Sequence, residues 1–387
     1  MRPGIGGHLA AVATLALCLM RVAPSGAEAN PVILFEPATG QVLYAEDPDR
    51  LWHPASVTKM MTAYLTFEAV RSGKIAWDAE VPISEYARSQ PATRIGLRGG
   101  IKINVEQAVR GLILRSANDF ATAIAERIGG TEGTFVQQMN ETAARLGMSR
   151  TRFKNPHGLP DPEQVTTARD MAILTAALLK DFPDRAEVFS TPTVQIHKGT
   201  FHSQNDLLRT LEGGDGMKTG FTCASGYNVV ASATRKDRRL VAVVLGAANR
   251  TTRSERAAQL IEAGFAHLEG KSDPQPAGGA AGNGLPVPLQ PVALKDLPVS
   301  PADPASAYDM SRETRTRKCG NSERIVRRAP KALVKAPAGD GGRTAQQIVT
   351  GSVAPPRRKP VAKSAEPTSR APVIARTPVK EEQGDGH

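Results

Sequence analysis

Between residues 30 and 270, the segments with strand character stand at the two ends and the stretch between them reads as helix, which leaves few folds open. "PVILFEP" and "QVLYAE" near the start, and "GYNVVASATRK" and "RRLVAVVLGA" near the end, are short, β-branched and bounded by turn residues. "PATGQ" and "RKDRR" join them as turn-like connections, so each pair is expected to form an antiparallel hairpin. In the middle, a helix from Ser56 to Ser72 stops at Gly73, and Asn104 caps another with Gln107 three positions on. "DFATAIAERIGG", "TFVQQMNETAARLG" and "TARDMAILTAALLKDF" follow, and Arg253 to His267 forms the last helix. The pattern predicts an α+β fold with one antiparallel sheet formed from both chain ends and covered by helices.

The flanks are of a different kind. Residues 1–29 read as a secretory signal peptide: Arg2, an apolar "LAAVATLALCLM" run, then Ala27 and Ala29 as the small residues a signal peptidase needs. That run is too short to cross about 30 Å of hydrocarbon, so the expected location is the periplasm or cell envelope. From residue 271 to 387 the chain holds more than half of its 29 prolines and Tyr308 as its one aromatic residue. Such a composition cannot bury enough apolar surface to offset chain entropy, so a disordered tail is expected there. Nineteen basic residues face eleven acidic ones in that tail, which therefore carries most of the net charge of +11. An anionic wall or membrane surface is a natural partner for it. The tail lacks interleaved aromatics, which speaks against nucleic acid. Of the three cysteines, Cys223 and Cys319 remain after signal removal. With one of them in the tail, a disulfide framework is not expected, and Cys223 reads as a packed thiol. No His, Cys and Asp cluster has metal-ligand spacing, so neither a metal nor a cofactor is implied.

Chemistry is concentrated in three short motifs. In "HPASVTKMMTAYL", Ser56 and Lys59 lie three apart at a helix start, on one face. A serine hydroxyl becomes a nucleophile when a base stands within hydrogen-bond reach, and Lys59 can be that base if neutral. Neutrality at pH 7 requires that the pKa fall from the about 10.4 of an ordinary lysine to about 7, at a cost of about 4 to 5 kcal/mol. Burial and a second nearby cation can impose this fall. "SAN" at Ser116 to Asn118 falls in the break between two helical stretches, and "KTG" at Lys218 to Gly220 stands just before a strand.

Ser-x-x-Lys, Ser-x-Asn and Lys-Thr-Gly in this order resemble the signature of penicillin-recognising serine enzymes. Together with "LGMSRTRFKNPHGLPD", "TTARDMAIL" and "GDGMKTGFTCASGYNVVASA", they make residues 31–270 similar to the D-alanyl-D-alanine carboxypeptidases, the low-molecular-weight penicillin-binding proteins. The resemblance implies that Ser56, Lys59 and Ser116 are catalytic, with Ser56 forming an acyl-enzyme and Ser116 relaying a proton to the leaving nitrogen. It further implies that Asn118 holds the substrate amide and that Lys218, Thr219 and Gly220 form the strand wall, with Lys218 and Thr219 drawn to the terminal carboxylate. Backbone N–H groups of Ser56 and Phe221 would make the oxyanion hole, and Arg253 would stand near the carboxylate site. The implied partners are peptidoglycan stem peptides ending in D-Ala-D-Ala and β-lactam antibiotics.

Three other functions compete with that reading. A DD-endopeptidase would use the same motifs on crosslinks. A β-lactamase would need a carboxylate base in "NPHGLPDPEQVTTARD", where Glu163 lacks the expected neighbouring pattern. A catalytically silent wall-binding protein would not need all three motifs intact.

Overall fold

A computed structural model of the chain describes residues 30–91, 93–270 and 292–299. The signal-peptide expectation and most of the tail fall outside the described residues. All of these residues lie in one unit, Met1–Lys331; the second unit, Ala332–His387, lies wholly outside them.

The chain opens with the expected hairpin, β1 (Val32–Glu36) and β2 (Gln41–Glu46), then a 3₁₀ turn (Ala55–Thr58) that runs into α1 (Lys59–Arg71). Strands β3 (Glu80–Pro82) and β4 (Lys102–Asn104) make a small sheet around α2 (Glu85–Ser89). Helices α3 (Val105–Leu114), α4 (Asn118–Gly129), α5 (Glu132–Leu146) and α6 (Ala168–Asp181) follow. A short helix α7 (Glu187–Ser190), a second small hairpin of β5 (Thr193–Ile196) and β6 (Gly199–His202), and α8 (Leu207–Thr210) lead back to the main sheet. That sheet is completed by β7 (Gly214–Thr222), β8 (Gly226–Arg235) and β9 (Arg238–Ala247), and α9 (Arg250–Leu268) covers it before the short strand β10 (Val292–Ala293).

The six strands run in the order β10-β2-β1-β9-β8-β7, every pair antiparallel. The sheet does join the two ends of the domain, through β1 against β9. Period-two alternation splits its side chains between two cores. Val32 and Leu34 pack with Leu260, Ile261 and Phe265 of α9, while Ile33 and Phe35 pack with the helical middle. The result is three layers, with α9 on one face of the sheet and α1 to α6 on the other.

Two local features go beyond the sequence reading. In helix α1, Met60, Met61, Ala63, Tyr64, Leu65 and Phe67 are all enclosed, and so are Thr62 and Thr66 between them. The two threonines satisfy their hydroxyls on the carbonyls of Pro156 and Thr62, at 2.6 and 2.7 Å, so their burial leaves no donor stranded. The axis of the domain is therefore the helix that begins at Lys59.

The second concerns residues 292–299, placed by composition in a disordered tail. They are an ordered strap on the sheet edge. Val292 and Ala293 pair with Val42 and Gln41, and Leu294 N–H donates to the carbonyl of Gly40 at 2.7 Å. Arg169 on α6 completes the docking: its guanidinium is held bidentate by the buried carboxylate of Asp49 at 2.6 and 2.8 Å and donates to the carbonyls of Leu294, Leu297 and Pro298. The five-donor fork of arginine suits this convergence of one carboxylate with three carbonyls. Replacing Arg169 by Ala removes one partner of a buried pair and frees the strap. We expect a loss of about 3 to 5 kcal/mol of stability, read as a lower urea midpoint, and faster proteolysis at residues 292–299.

Candidate active site

The three motifs meet at one edge of the main sheet, each delivered by a different element. Ser56 lies in the 3₁₀ turn at the head of α1; Ser116 and Asn118 lie at the α3–α4 junction; Lys218, Thr219 and Gly220 lie on β7. Lys-Thr-Gly is thus inside a strand, not ahead of one, and pairs with Val230, Val229 and Asn228 of β8. A single run of nine residues, Gly214–Thr222, forms this edge strand, although its glycines and its lysine hide it from a hydropathy reading. Cys223 consequently falls in the turn after β7. It is disulfide-bonded, not the packed thiol expected, and its partner lies outside the described residues.

Backbone geometry at the site is tightly specified. Ala55 and Ser116 hold positive φ, 48° and 59°, values that side-chain-bearing residues adopt only where the surroundings impose them. Those surroundings are on view. Asn228 of β8 donates through Nδ2 to the carbonyls of both His53 and Pro54 at 2.9 Å, fixing the entry to the turn. Gly158 (φ 87°) is so close that a Cβ there would stand 1.9 Å from the Ala55 carbonyl oxygen. Gly220 plays the same part from the strand side, since a Cβ on it would lie 3.0 Å from Ser56 N. Sequence reasoning missed Asn228 and Gly158; a Gly after "NPH" and an Asn inside a strand were the signals available.

Lys59 is completely enclosed. Its Nζ lies 3.0 Å from Ser56 Oγ and 2.8 Å from Asn118 Oδ1, and it also meets the carbonyl oxygen of His157. Burial first, and Lys218 second, press its pKa well below that of an ordinary lysine, with Asp119 opposing them. Lys218 is equally enclosed, donates to Ser116 Oγ at 3.1 Å and to the Thr219 carbonyl at 2.8 Å, and is pulled down to about 7 by burial and then by Arg253. His157 accepts from Leu159 N–H through Nδ1 and is kept neutral by burial and by Lys59.

A cleft of about 430 Å³ opens onto this arrangement. Ser56, Ser116, Thr219, Gly220, Phe221 and Arg253 line it, as expected, whereas Lys59, Asn118 and Lys218 stand behind its wall. Thr93, Gln204, Tyr227 and Arg250 complete the lining. Asn118 does not project into the cleft: its amide is spent on Lys59 and on the Pro91 carbonyl at 2.9 Å. Asn205 faces inward too, bonded to the carbonyl of Gly216. Arg253 is buried, and its Nε has no protein partner among the described residues. Arg250 beside it is neutralised by Asp206 at 2.5 and 2.6 Å. The cleft therefore has an unspent donor at Arg253, the Lys218 amine behind its wall and no opposing carboxylate in its lining, the electrostatics of an anion site.

A sheet edge closing on a buried lysine at the head of a central helix defines the penicillin-recognising serine class. The chain belongs to the D-alanyl-D-alanine carboxypeptidase family, whose model matches residues 19–249. It is 38% identical over 254 residues to D-alanyl-D-alanine carboxypeptidase DacA of Haemophilus influenzae, covering 64% of each chain. Against D-alanyl-D-alanine carboxypeptidase DacC of Escherichia coli the identity is 37%, over 64% of this chain and 63% of that one. The match thus spans just under two thirds of these curated relatives. Among solved structures, penicillin binding protein 5 from Haemophilus influenzae superposes with a TM-score of 0.59 at 37% identity, over 63% of this chain and 73% of that one. Penicillin-binding protein D2 from Listeria monocytogenes in its ampicillin-bound form gives 0.54 at 33%, over 62% and 97%.

Two buried lysines carry a thermodynamic signature. The folded pKa of Lys218, about 7, lies below the 10.5 of an ordinary lysine, so between those values the unfolded chain binds the extra proton and stability rises with pH. Lys218→Met removes this dependence. Its Tm should exceed the parent's most at pH 6, and the gap should narrow as pH rises toward 9, measured by thermal unfolding without ligand.

Proposed function

We propose that this chain is a serine D-alanyl-D-alanine carboxypeptidase that removes the terminal D-alanine from peptidoglycan stem peptides through an acyl-enzyme on Ser56, and that β-lactams acylate the same serine. The observation that carries the reading is the hydrogen-bond account at Lys59. A neutral amine has two N–H donors and one lone pair, whereas an ammonium has three donors and no acceptor. Two of the three neighbours of Nζ can only accept: the His157 carbonyl, and Asn118 Oδ1, whose orientation follows from Nδ2 donating to Pro91. With both N–H groups spent there, the lone pair of neutral Lys59 faces Ser56 Oγ and takes its proton.

The remaining groups supply the rest of the reaction. The terminal carboxylate of the substrate meets Arg253 Nε, Thr219 and Lys218, and its charge restores the proton that burial discourages on Lys218. The acyl carbonyl oxygen is received by the backbone N–H groups of Ser56 and Phe221, which Gly220 allows to stand close together. Attack by Ser56 Oγ forms the acyl-enzyme ester and breaks the acyl–nitrogen bond; the hydroxyl of Ser116, held by Lys218, passes a proton to the departing D-alanine, and the proton that Lys59 took from Ser56 replaces it, which leaves Lys59 neutral. Lys59 then serves again as base for the water that releases the acyl group.

This arrangement favours a peptidase over a β-lactamase. Glu163, the acid nearest the required position in sequence, is engaged by Arg152 and Lys154 at 3.0 and 3.3 Å, is more than half exposed, and is absent from the cleft lining. No second carboxylate base is at hand for the penicilloyl ester, so penicillin should remain bound over many times the D-alanine turnover interval. The signal-like sequence of 1–29 supports a cell-envelope location, and the basic character of 271–387 supports attraction of the tail to anionic wall polymers.

Intact-mass analysis after penicillin treatment tests the assignment: one adduct is expected on the parent chain and none on Ser56→Ala. Lys59→Ala should lower the acylation rate by about 10²- to 10⁴-fold with little change in circular dichroism. An adduct that persists in Ser56→Ala overturns the reading, as does equal D-alanine release by all three proteins.

A further inference from the structure

Asp119 is wholly buried one residue beyond Asn118. Among the described residues it forms no ion pair with an arginine; its carboxylate is spent on backbone amides. Oδ1 accepts from Ile95 N–H at 3.2 Å and Phe120 N–H at 3.0 Å, and Oδ2 accepts from Gly96 N–H at 2.8 Å. Residues 93–96 belong to no helix or strand. What ties them to α4 is this carboxylate together with the neighbouring bond from Asn118 N–H to the Thr93 carbonyl at 2.8 Å. The same stretch carries Pro91, whose carbonyl receives Asn118 Nδ2, and Thr93, which lines the cleft.

We propose that Asp119 is a positioning residue for the acylation step: it latches residues 93–96 onto α4, and through Pro91 and Thr93 that latch sets which atom of the Asn118 amide faces Lys59. The inference rests on the proposed function and deepens it. An amide carries a carbonyl on one side and an NH₂ on the other, nearly equal in shape. Turned over, Asn118 would present two donors to Nζ. Lys59 would then have to offer its lone pair to the amide and would lose its hold on the Ser56 proton. Nothing in the Asn118 side chain itself prefers one orientation; the Pro91 carbonyl decides, because it can only accept.

A buried carboxylate suits this task better than a neutral side chain. Its two oxygens take three N–H groups at once, a set an asparagine cannot satisfy because its NH₂ would meet one of the amides head-on. The charge has a second effect. The groups that face Lys59 are Lys218 on β7, His157 in the loop before α6 and Asp119 on α4, and of these only Asp119 is an acid. It partly offsets the repulsion from Lys218 and so keeps Lys59 more basic than burial and Lys218 together would leave it.

The test uses the full-length enzyme, with active sites titrated by fluorescent penicillin so that every rate is expressed per competent site. Asp119→Asn should lower the per-site acylation rate by about tenfold to a hundredfold, the range for small misplacements of a catalytic geometry. The acid limb of its pH profile should move to lower pH, because the one negative charge facing Lys59 is gone. Gly96→Ala perturbs the latch from outside, since its φ is 78° and a Cβ there meets nothing within 4 Å; it should slow acylation per site without moving the limb. Full per-site rates in both variants, with the limb unmoved and only the number of titratable sites reduced, would make Asp119 a fold residue and overturn the proposal. Absence of acylation in the parent enzyme would instead strike at the proposed function, so the two failures are told apart.

Discussion

The enclosure of the Lys59 amine is the constraint to which the rest of the domain answers. An ammonium taken out of water without a paired carboxylate is strongly disfavoured, and here the nearest acid, Asp119, is itself occupied by backbone amides. The chain resolves this by letting the group give up its charge and by supplying acceptors that a neutral amine can use. Those acceptors come from far apart in sequence, at Asn118 and His157, so α1, α4 and the loop before α6 must all be in place before the lysine is satisfied. Enclosing α1 on every side follows from this requirement, since a lysine on a half-exposed helix would find water and remain charged.

A second consequence is electrostatic layering. Arg253 lines the cleft, Lys218 stands behind Thr219 and Lys59 behind Ser56, a row of basic groups with progressively less claim to a proton. Each depresses the next. Arg253 itself is drawn down to about 10 by burial and by Arg250, while Asp206 opposes this through its pair with Arg250. An arriving anion would act at the outer end of this row first, and the response would pass inward through Lys218 to Ser116, which it contacts at 3.1 Å.

Much of this was legible in the chain itself because the relevant physics is local. β1 with β2 and β8 with β9 are hairpins whose turns and alternation lie within some fifteen to twenty residues, and the capping box of Asn104 and Gln107 forms as read. The three motifs mark residues that chemistry requires, and they do converge. What stayed hidden depends on contacts between distant segments. β7 is a strand because β8 provides its ladder, not because its residues favour one. That Lys59 and Pro91 engage both ends of the Asn118 amide could not be read from its motif, because both partners come from other segments. The strap at 292–299 lies in a stretch whose composition argues against order; a buried arginine 123 residues or more away in sequence is what holds it.

The strap also changes how the sheet meets the outside world. An antiparallel sheet ends in two rows of backbone groups, each a template on which another chain can polymerise. At one side β7 is covered by the turn that bears Ser56 and by α7 and α8. At the other, β2 would lie bare but for Val292 and Ala293, a strand too short to recruit a further neighbour and followed at once by Lys295, Asp296 and Pro298. The chain thus closes its own adhesive edge with its own residues, and cross-β association between copies is denied a starting point.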